Sequence, residues 1–361
     1  MTKRSPKSRG VFLHEGALIS PRVDFVTTSA LSIVVMIGLC IFAVWYKGGG
    51  GSDDLSGVLP KLLALQVLLN WPHFLVSYRL LYSRKSNFSD FPTATMIAPL
   101  VLVVIAIIAM LPISGGAGPL SLSLKIAYPM WLFASFYLAW HYTGQTWGVM
   151  MSFARISGLR LTPNERLILR MGLRTLIFWH VVWGLQTLPD LPVIAVFQGD
   201  AMMWVANCVA TLSFASGAYV LGRKVVTTGV DIRVLGAFLA IYLWYLVLFL
   251  MPDAFMFIQL SHALQYMIFP TRVEINEATH AKKTTREKNR SLIAMYLMSV
   301  AGGVVIFYIP DAFFAAAAGA PTVASYLAIA INIHHYYTDS AIWKLRTQRV
   351  AGSLFAHLES K

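Results

Sequence analysis

Near the C-terminal end of the chain, Asn332-Ile333-His334-His335-Tyr336-Tyr337-Thr338-Asp339 sets two imidazoles and a carboxylate inside an apolar run of membrane length. Ionisable groups are costly in hydrocarbon, and there they read as functional. His335 and Asp339 stand four residues apart. That spacing is about one helical turn, so the carboxylate can orient the imidazole or join it on a metal ion. Further apolar segments carry Trp71-Pro72-His73, Trp140-His141-Tyr142 and Ser261-His262-Ala263. A metal-bound imidazole usually donates its other ring N–H to an acceptor. Ser77, Gln145 and Gln265 stand about one turn beyond His73, His141 and His262 and are candidates for that role, as Asp339 is for His335.

His334 and His335 project about 100° apart on a helix, so both reaching one ion is difficult. We read His334 as the ligand, with His335 either a second ligand or the partner of Asp339. His180, between Trp179 and Trp183, reads as structural, although it could join the site. His14, His280 and His357 fall in tails or a basic loop and read as solvated. Imidazoles with an occasional carboxylate and no thiolate suit iron, zinc or copper. The cysteines Cys40 and Cys208 lie in apolar runs and read as packing residues. A buried, lipid-accessible site with open coordination positions suits oxygen chemistry on an apolar substrate. Zinc hydrolysis would need a water path and a general base, for which Asp339 is the obvious candidate.

The elements that must position these groups are membrane helices. With 57% hydrophobic and 12% charged residues, the chain has about half the charge of an ordinary soluble protein. The expected fold is all-α, a polytopic bundle of about ten transmembrane helices. They run approximately over 25–46, 55–83, 92–113, 122–154, 162–188, 201–221, 232–251, 254–270, 291–310 and 322–345. Pro72 should kink the second and free a carbonyl one turn earlier. Thr162-Pro163-Asn164-Glu165 reads as a helix start, with capping threonine, proline and glutamate in sequence. The domain division is a basic tail (1–24), a ten-helix domain (25–346) and a second tail (347–361). The first tail lacks an apolar core, so no cleavable signal peptide is expected.

Charge sets the expected topology. Loops after even spans carry Arg84/Lys85, Arg155/Arg160, Arg223/Lys224 and the 282–290 cluster. Those after odd spans carry Asp53/Asp54, Asp190/Asp200, Asp253 and Asp311, or no charge. By the positive-inside rule both termini are expected to be cytoplasmic, and the expected location is that of an integral, multi-pass protein of the bacterial inner membrane. The net charge of +13 is therefore expected to meet membrane lipids rather than nucleic acid. On this topology His73, His141, His262 and His334 lie 11, 14, 10 and 10 residues before cytoplasmic basic residues. Those offsets, about 15–21 Å, place all four near mid-membrane, where they can converge as metal ligands.

The order of these stretches resembles the bacterial membrane β-carotene cleavage dioxygenases of the Brp/Blh-like family. Trp71-Pro72-His73 is similar to that family's early Pro-His stretch, and Trp140-His141-Tyr142 to its middle His stretch. Ser261-His262 stands where its later His pair begins, and His334 with Asp339 is similar to its closing His and Asp. Ser77 and Gln145 replace the acidic residues of the family pattern, and Tyr266 replaces the second histidine of the pair. The resemblance implies a non-haem iron (Fe2+) held by four histidines, which uses O2 to cleave a carotenoid.

The function expected from these readings is an O2-dependent oxidoreductase, a membrane-embedded, histidine-ligated iron oxygenase acting on a lipidic or isoprenoid (carotenoid-like) small molecule. His73, His141, His262 and His334 or His335 would be the ligands, with Asp339, Gln145 and Gln265 supporting them. The alternatives are a di-iron lipid desaturase or hydroxylase, a haem protein, and a non-enzymatic transporter or lipid-handling protein using the same polar groups. No particular protein partner is indicated.

Overall fold

A computed structural model describes residues 10–48, 59–110, 122–186, 195–309, 323–345 and 347–359, which are almost wholly helical. The helices are α1 (Pro21–Phe25), α2 (Leu31–Gly48), α3 (Leu59–Leu65), α4 (Trp71–Tyr82), α5 (Ser86–Asp90), α6 (Ala98–Met110), α7 (Leu122–Ser157) and α8 (Pro163–Gln186). They continue as α9 (Ala195–Gln198), α10 (Asp200–Thr227), α11 (Ile232–Leu250), α12 (Phe255–His280), α13 (Thr285–Gly303), α14 (Val323–Ile342) and α15 (Gln348–Glu359). Two short strands, β1 (Val11–Phe12) and β2 (Val230–Asp231), pair in parallel.

Within the described residues each expected span coincides with helix, but those that cross by length and apolarity alone are fewer. Pro21–Trp45, Pro163–Gln186, Asp200–Thr227, Ile232–Leu250 and Thr285–Tyr308 are long and apolar enough, making this a membrane protein. Thr93–Ile108 is apolar but shorter. The helices bearing His73, His141, His262 and His335 are not among the five. They carry the polar groups that any site requires, which lowers their apolarity. Large apolar side chains such as Trp45, Leu100, Trp204 and Met298 face outward, as lipid contact demands. The loops carrying Asp53/Asp54, Asp190 and Asp311 lie outside the described residues.

Helix starts follow from local chemistry. Thr162 and Glu165 cap α8 reciprocally, Glu165 Oε2 accepting from Thr162 N at 2.8 Å and Thr162 Oγ1 from Glu165 N at 3.3 Å. Thr284 and Glu287 do the same for α13. The stretch expected as a basic loop from Arg272 is in part helix, because α12 runs on to His280.

The chain divides into two compact units. The first comprises Met1–Leu63, Tyr142–Arg272 and Leu354–Lys361; the second comprises Ala64–His141 and Val273–Ser353.

In the first unit α8 packs on α10, and α11 on α2. Its least exposed charges are Arg233, Asp24 and Asp231, each fully buried. The Arg233 guanidinium donates from Nε and Nη2 to the two Asp231 oxygens, at 3.0 and 2.6 Å. Its Nη1 lies 3.4 Å from Asp24 Oδ2, and Nη2 also reaches the carbonyls of His14 (3.0 Å) and Gly16 (2.9 Å). Asp24 further accepts from Leu18 N and Ile19 N. From Gly10 onward the stretch expected to be a tail is therefore folded against α11. Two histidines expected to be solvated belong to the same region. His14 Nδ1 accepts from Gly16 N, and His357 Nε2 donates to the Ala17 carbonyl.

In the second unit α4 packs on α13, and α14 on α4 and α6. Gly302 and Gly303 permit the first contact: a Cβ on Gly303 would lie 2.6 Å from Trp71 Cβ. Near the end of α4, Arg79 pairs with Glu274 of α12 at 2.8 Å, and Arg84 pairs with Glu277 of α12.

Removing one member of a buried ionic group strands the others, at a cost of about 3–5 kcal/mol. Arg233→Ala should therefore lower unfolding stability by about that amount in detergent. Titration with denaturing detergent checks this, and wild-type stability would contradict it.

Candidate metal centre

All the groups that converge belong to the second unit, and proline shapes α4, which carries His73. Before α4 the backbone makes a π-helical turn (Gln66–Asn70), and Pro72 follows. Pro72 has no N–H to offer the Leu68 carbonyl four residues back. Tyr296 of α13 supplies the missing donor, its hydroxyl 2.7 Å from that oxygen. The same device recurs before α6. A π-helical turn (Thr93–Ile97) precedes Pro99, which can donate to neither the Thr95 nor the Ala94 carbonyl. Tyr82 Oη donates to Thr95 O at 3.1 Å, and His334 Nε2 donates to Ala94 O at 2.7 Å.

His334 is thereby committed to the backbone of an adjacent helix turn, with Tyr78 stacked on its ring at 5.2 Å. The residue that reaches the site is His335. About 100° around α14, it turns toward α4 while His334 turns toward the π-helical turn. The preference for His334 is corrected on this point.

His73 (α4), His141 (α7), His335 and Asp339 (both α14) form one buried group, each offering a ligand atom within 4.8 Å of every other. His335 Nε2 lies 3.1 Å from His73 Nε2. Asp339 Oδ2 lies 3.6 Å from His335 Nε2 and 3.8 Å from His141 Nε2. Their residue exposures are 1% for His73, 6% for His141, 0% for His335 and 6% for Asp339, so bulk water does not solvate them. With bonds of ~2.1 Å, neighbouring donors on one ion stand ~3.0–3.4 Å apart at right or tetrahedral angles. The three distances meet or slightly exceed that range. Three imidazoles and a carboxylate are a donor set for a transition metal, and the group could hold one ion.

Aromatic rings wall the group. Phe74 lies over the His335 ring with centroids 4.2 Å apart, and Tyr336 stacks on His141 at 4.9 Å. Phe307 backs Phe74 at 5.3 Å.

Other expected site residues are placed differently. His262 lies in the first unit, its ring against Tyr142 (4.5 Å) and Trp244 (6.4 Å). Gln145 and Gln265 also belong to that unit. Gln145 Nε2 donates to the His262 carbonyl (3.0 Å) and to Gln265 Oε1 (3.2 Å), and Gln265 Nε2 donates to the Thr28 carbonyl (2.8 Å). The glutamines thus serve each other and the backbone instead of presenting acceptors to histidine rings. Ser77 Oγ likewise donates to its own helix, at His73 O. His180 packs with Trp183 and Tyr245 in the first unit. Asp339, expected as an orienting group, stands close enough to be a ligand.

The sequence reading missed Tyr336, whose ring touches His141, and its partner Asn332. Their i, i+4 spacing beside a histidine was the available signal. Compared with protein-family models, curated proteins and solved structures, the chain matches none.

Two neighbouring variants separate packing from ligation. His335→Ala should lose metal binding. His334→Ala should keep it while losing about 1–3 kcal/mol of stability through the stranded Ala94 carbonyl. Elemental analysis of the loaded proteins checks the pair, and metal retained by His335→Ala but lost by His334→Ala would reverse the assignment.

Proposed function

We propose that this protein is a membrane-embedded, non-haem iron oxygenase acting on a lipidic or isoprenoid, carotenoid-like substrate. One observation carries the reading: His73, His141, His335 and Asp339 meet as a buried group of the right size for one ion. The group lies within a protein whose surroundings are apolar, where a lipid-soluble substrate is at home. The resemblance of the Pro72-His73, His141 and His334-to-Asp339 stretches to membrane carotenoid dioxygenases supports the same choice, with His335 taking the place that the resemblance gives to His334.

Iron held there would supply O2 binding and activation at coordination positions the protein leaves open. The chain's own residues do the rest. His73 and His335 present Nε2 atoms toward each other from two helices, and His141 adds a third from α7. Asp339 brings negative charge that offsets part of a divalent cation's charge, so the cation is not stranded in low dielectric. Phe74, Phe307 and Tyr336 exclude water from the rings and give an apolar substrate an aromatic surface.

A di-iron centre fits less well. Paired ions stand about 3.5–4 Å apart and each needs its own donors. Among the described residues the four donors form a single group.

We further propose that about ten helices cross the bacterial inner membrane with both termini cytoplasmic. The helices bearing the site cross with their polar side chains turned inward. Reporter fusions after residues 115 and 192 should read external, and fusions after 85 and 285 cytoplasmic. The same side for all four would overturn the topology.

For the activity, protein purified from iron-replete cells should carry about one iron per chain and show no Soret band. Asp339→Asn should lower iron content, and given carotenoid and O2 the wild type should form oxygenated cleavage products that an anaerobic control lacks. Absence of bound iron, or products independent of O2, would end the oxygenase reading.

A further inference from the structure

We infer that Tyr336 is a positioning residue for the metal centre: it sets the plane of the His141 ring, and with it the direction in which His141 Nε2 points. The inference rests on the metal reading of the His73, His141, His335 and Asp339 group.

His141 differs from the other donors in its support. His335 and Asp339 share one turn of α14, so their spacing is fixed by the helix itself. His73 follows Pro72 in the first turn of α4, where the backbone is held by the Tyr296 hydroxyl at Leu68. His141 arrives from α7, near the middle of a 36-residue helix. A histidine side chain has two rotatable bonds, and its terminal torsion is broad. A surface lying flat against the ring, beside the edge-on contact of His335 at 5.0 Å, therefore biases its orientation.

Tyr336 provides that surface. Its ring lies against the His141 imidazole with centroids 4.9 Å apart and planes 28° apart, a stacked arrangement. The same ring meets Tyr137 edge-on, at 6.2 Å and 83°. Tyr137 and His141 are one turn apart on α7, so Tyr336 reaches both from α14. Tyr336 is itself held. Its hydroxyl donates to Asn332 Oδ1 at 2.7 Å, and Asn332 Nδ2 donates to the Ala328 carbonyl at 2.7 Å. The chain Ala328–Asn332–Tyr336 runs along α14, the helix that supplies His335 and Asp339. One rigid element thus provides two donors and the stop for a third. Residues that orient a ligand in this way alter metal affinity by about 10–100-fold when removed.

The test uses full-length protein in detergent and Co2+ as the probe, because its visible absorption responds to coordination geometry. Tyr336→Leu, which removes stack and hydroxyl, should weaken Co2+ binding about 10–100-fold and alter the absorption. Tyr336→Phe keeps the stack and loses only the anchor, so it should restore most of the affinity. Asn332→Ala breaks the same anchor and should match Tyr336→Phe, with the double variant no weaker than either. Thermal unfolding is followed in parallel. A lowered unfolding temperature with unchanged Co2+ affinity and spectrum in Tyr336→Leu would make the tyrosine mere packing and overturn the inference. Wild-type protein that takes up no Co2+ would instead overturn the metal reading beneath it.

Discussion

Two imidazole nitrogens 3.1 Å apart, away from water, cannot both present lone pairs to each other. Either one carries the proton or a cation lies between them. Much of the second unit can be understood from that constraint. The carboxylate of Asp339 is placed to face two of the imidazoles, and the aromatic rings around them leave little room for water. The donors come from three helices, so their convergence requires those helices to hold position against one another. Gly302 and Gly303 let α13 approach α4 closely, and hydroxyl and imidazole donors from neighbouring helices occupy the carbonyls that proline leaves without partners.

The division of labour along α14 shows how finely rotation about a helix axis distributes roles. His334 satisfies a backbone oxygen, His335 joins the buried donor group, and Tyr336 stacks on the ring of His141. A single turn further on, Asp339 returns to the face of His335. Adjacent residues that look alike in composition thus perform separate tasks.

Helices were largely legible because runs of apolar residues and capping patterns such as Thr162-Pro163-Asn164-Glu165 are local signals. That His73 and His141 come together was legible as well, since a histidine in an apolar segment has few inexpensive roles. Depth alone could not distinguish His334 from His335, because they differ by one residue in height and by a large rotation in direction. The His335–Asp339 turn carried that information, and facing direction outweighed the count of residues from the membrane edge. Gln145 and Gln265 were misread for a different reason. An amide one turn from a histidine can equally bond another amide or a carbonyl, and only tertiary contact decides. The buried Arg233 cluster was invisible because Asp24 lies 209 positions from Arg233, and the neighbouring Asp231 and Arg233 resemble ordinary charges at a helix start.

That cluster also bears on biogenesis. Asp24 and Arg233 are separated by 209 positions. During synthesis the acid at the head of its hydrophobic helix must wait for its counter-charge until 209 further residues have been added. The intervening helices enter the bilayer while that carboxylate is still open to water or lipid headgroups. Closure of the first unit is accordingly a late event, coupled to delivery of α11, and a ribosome stalled before Arg233 would leave the N-terminal strap without its clasp.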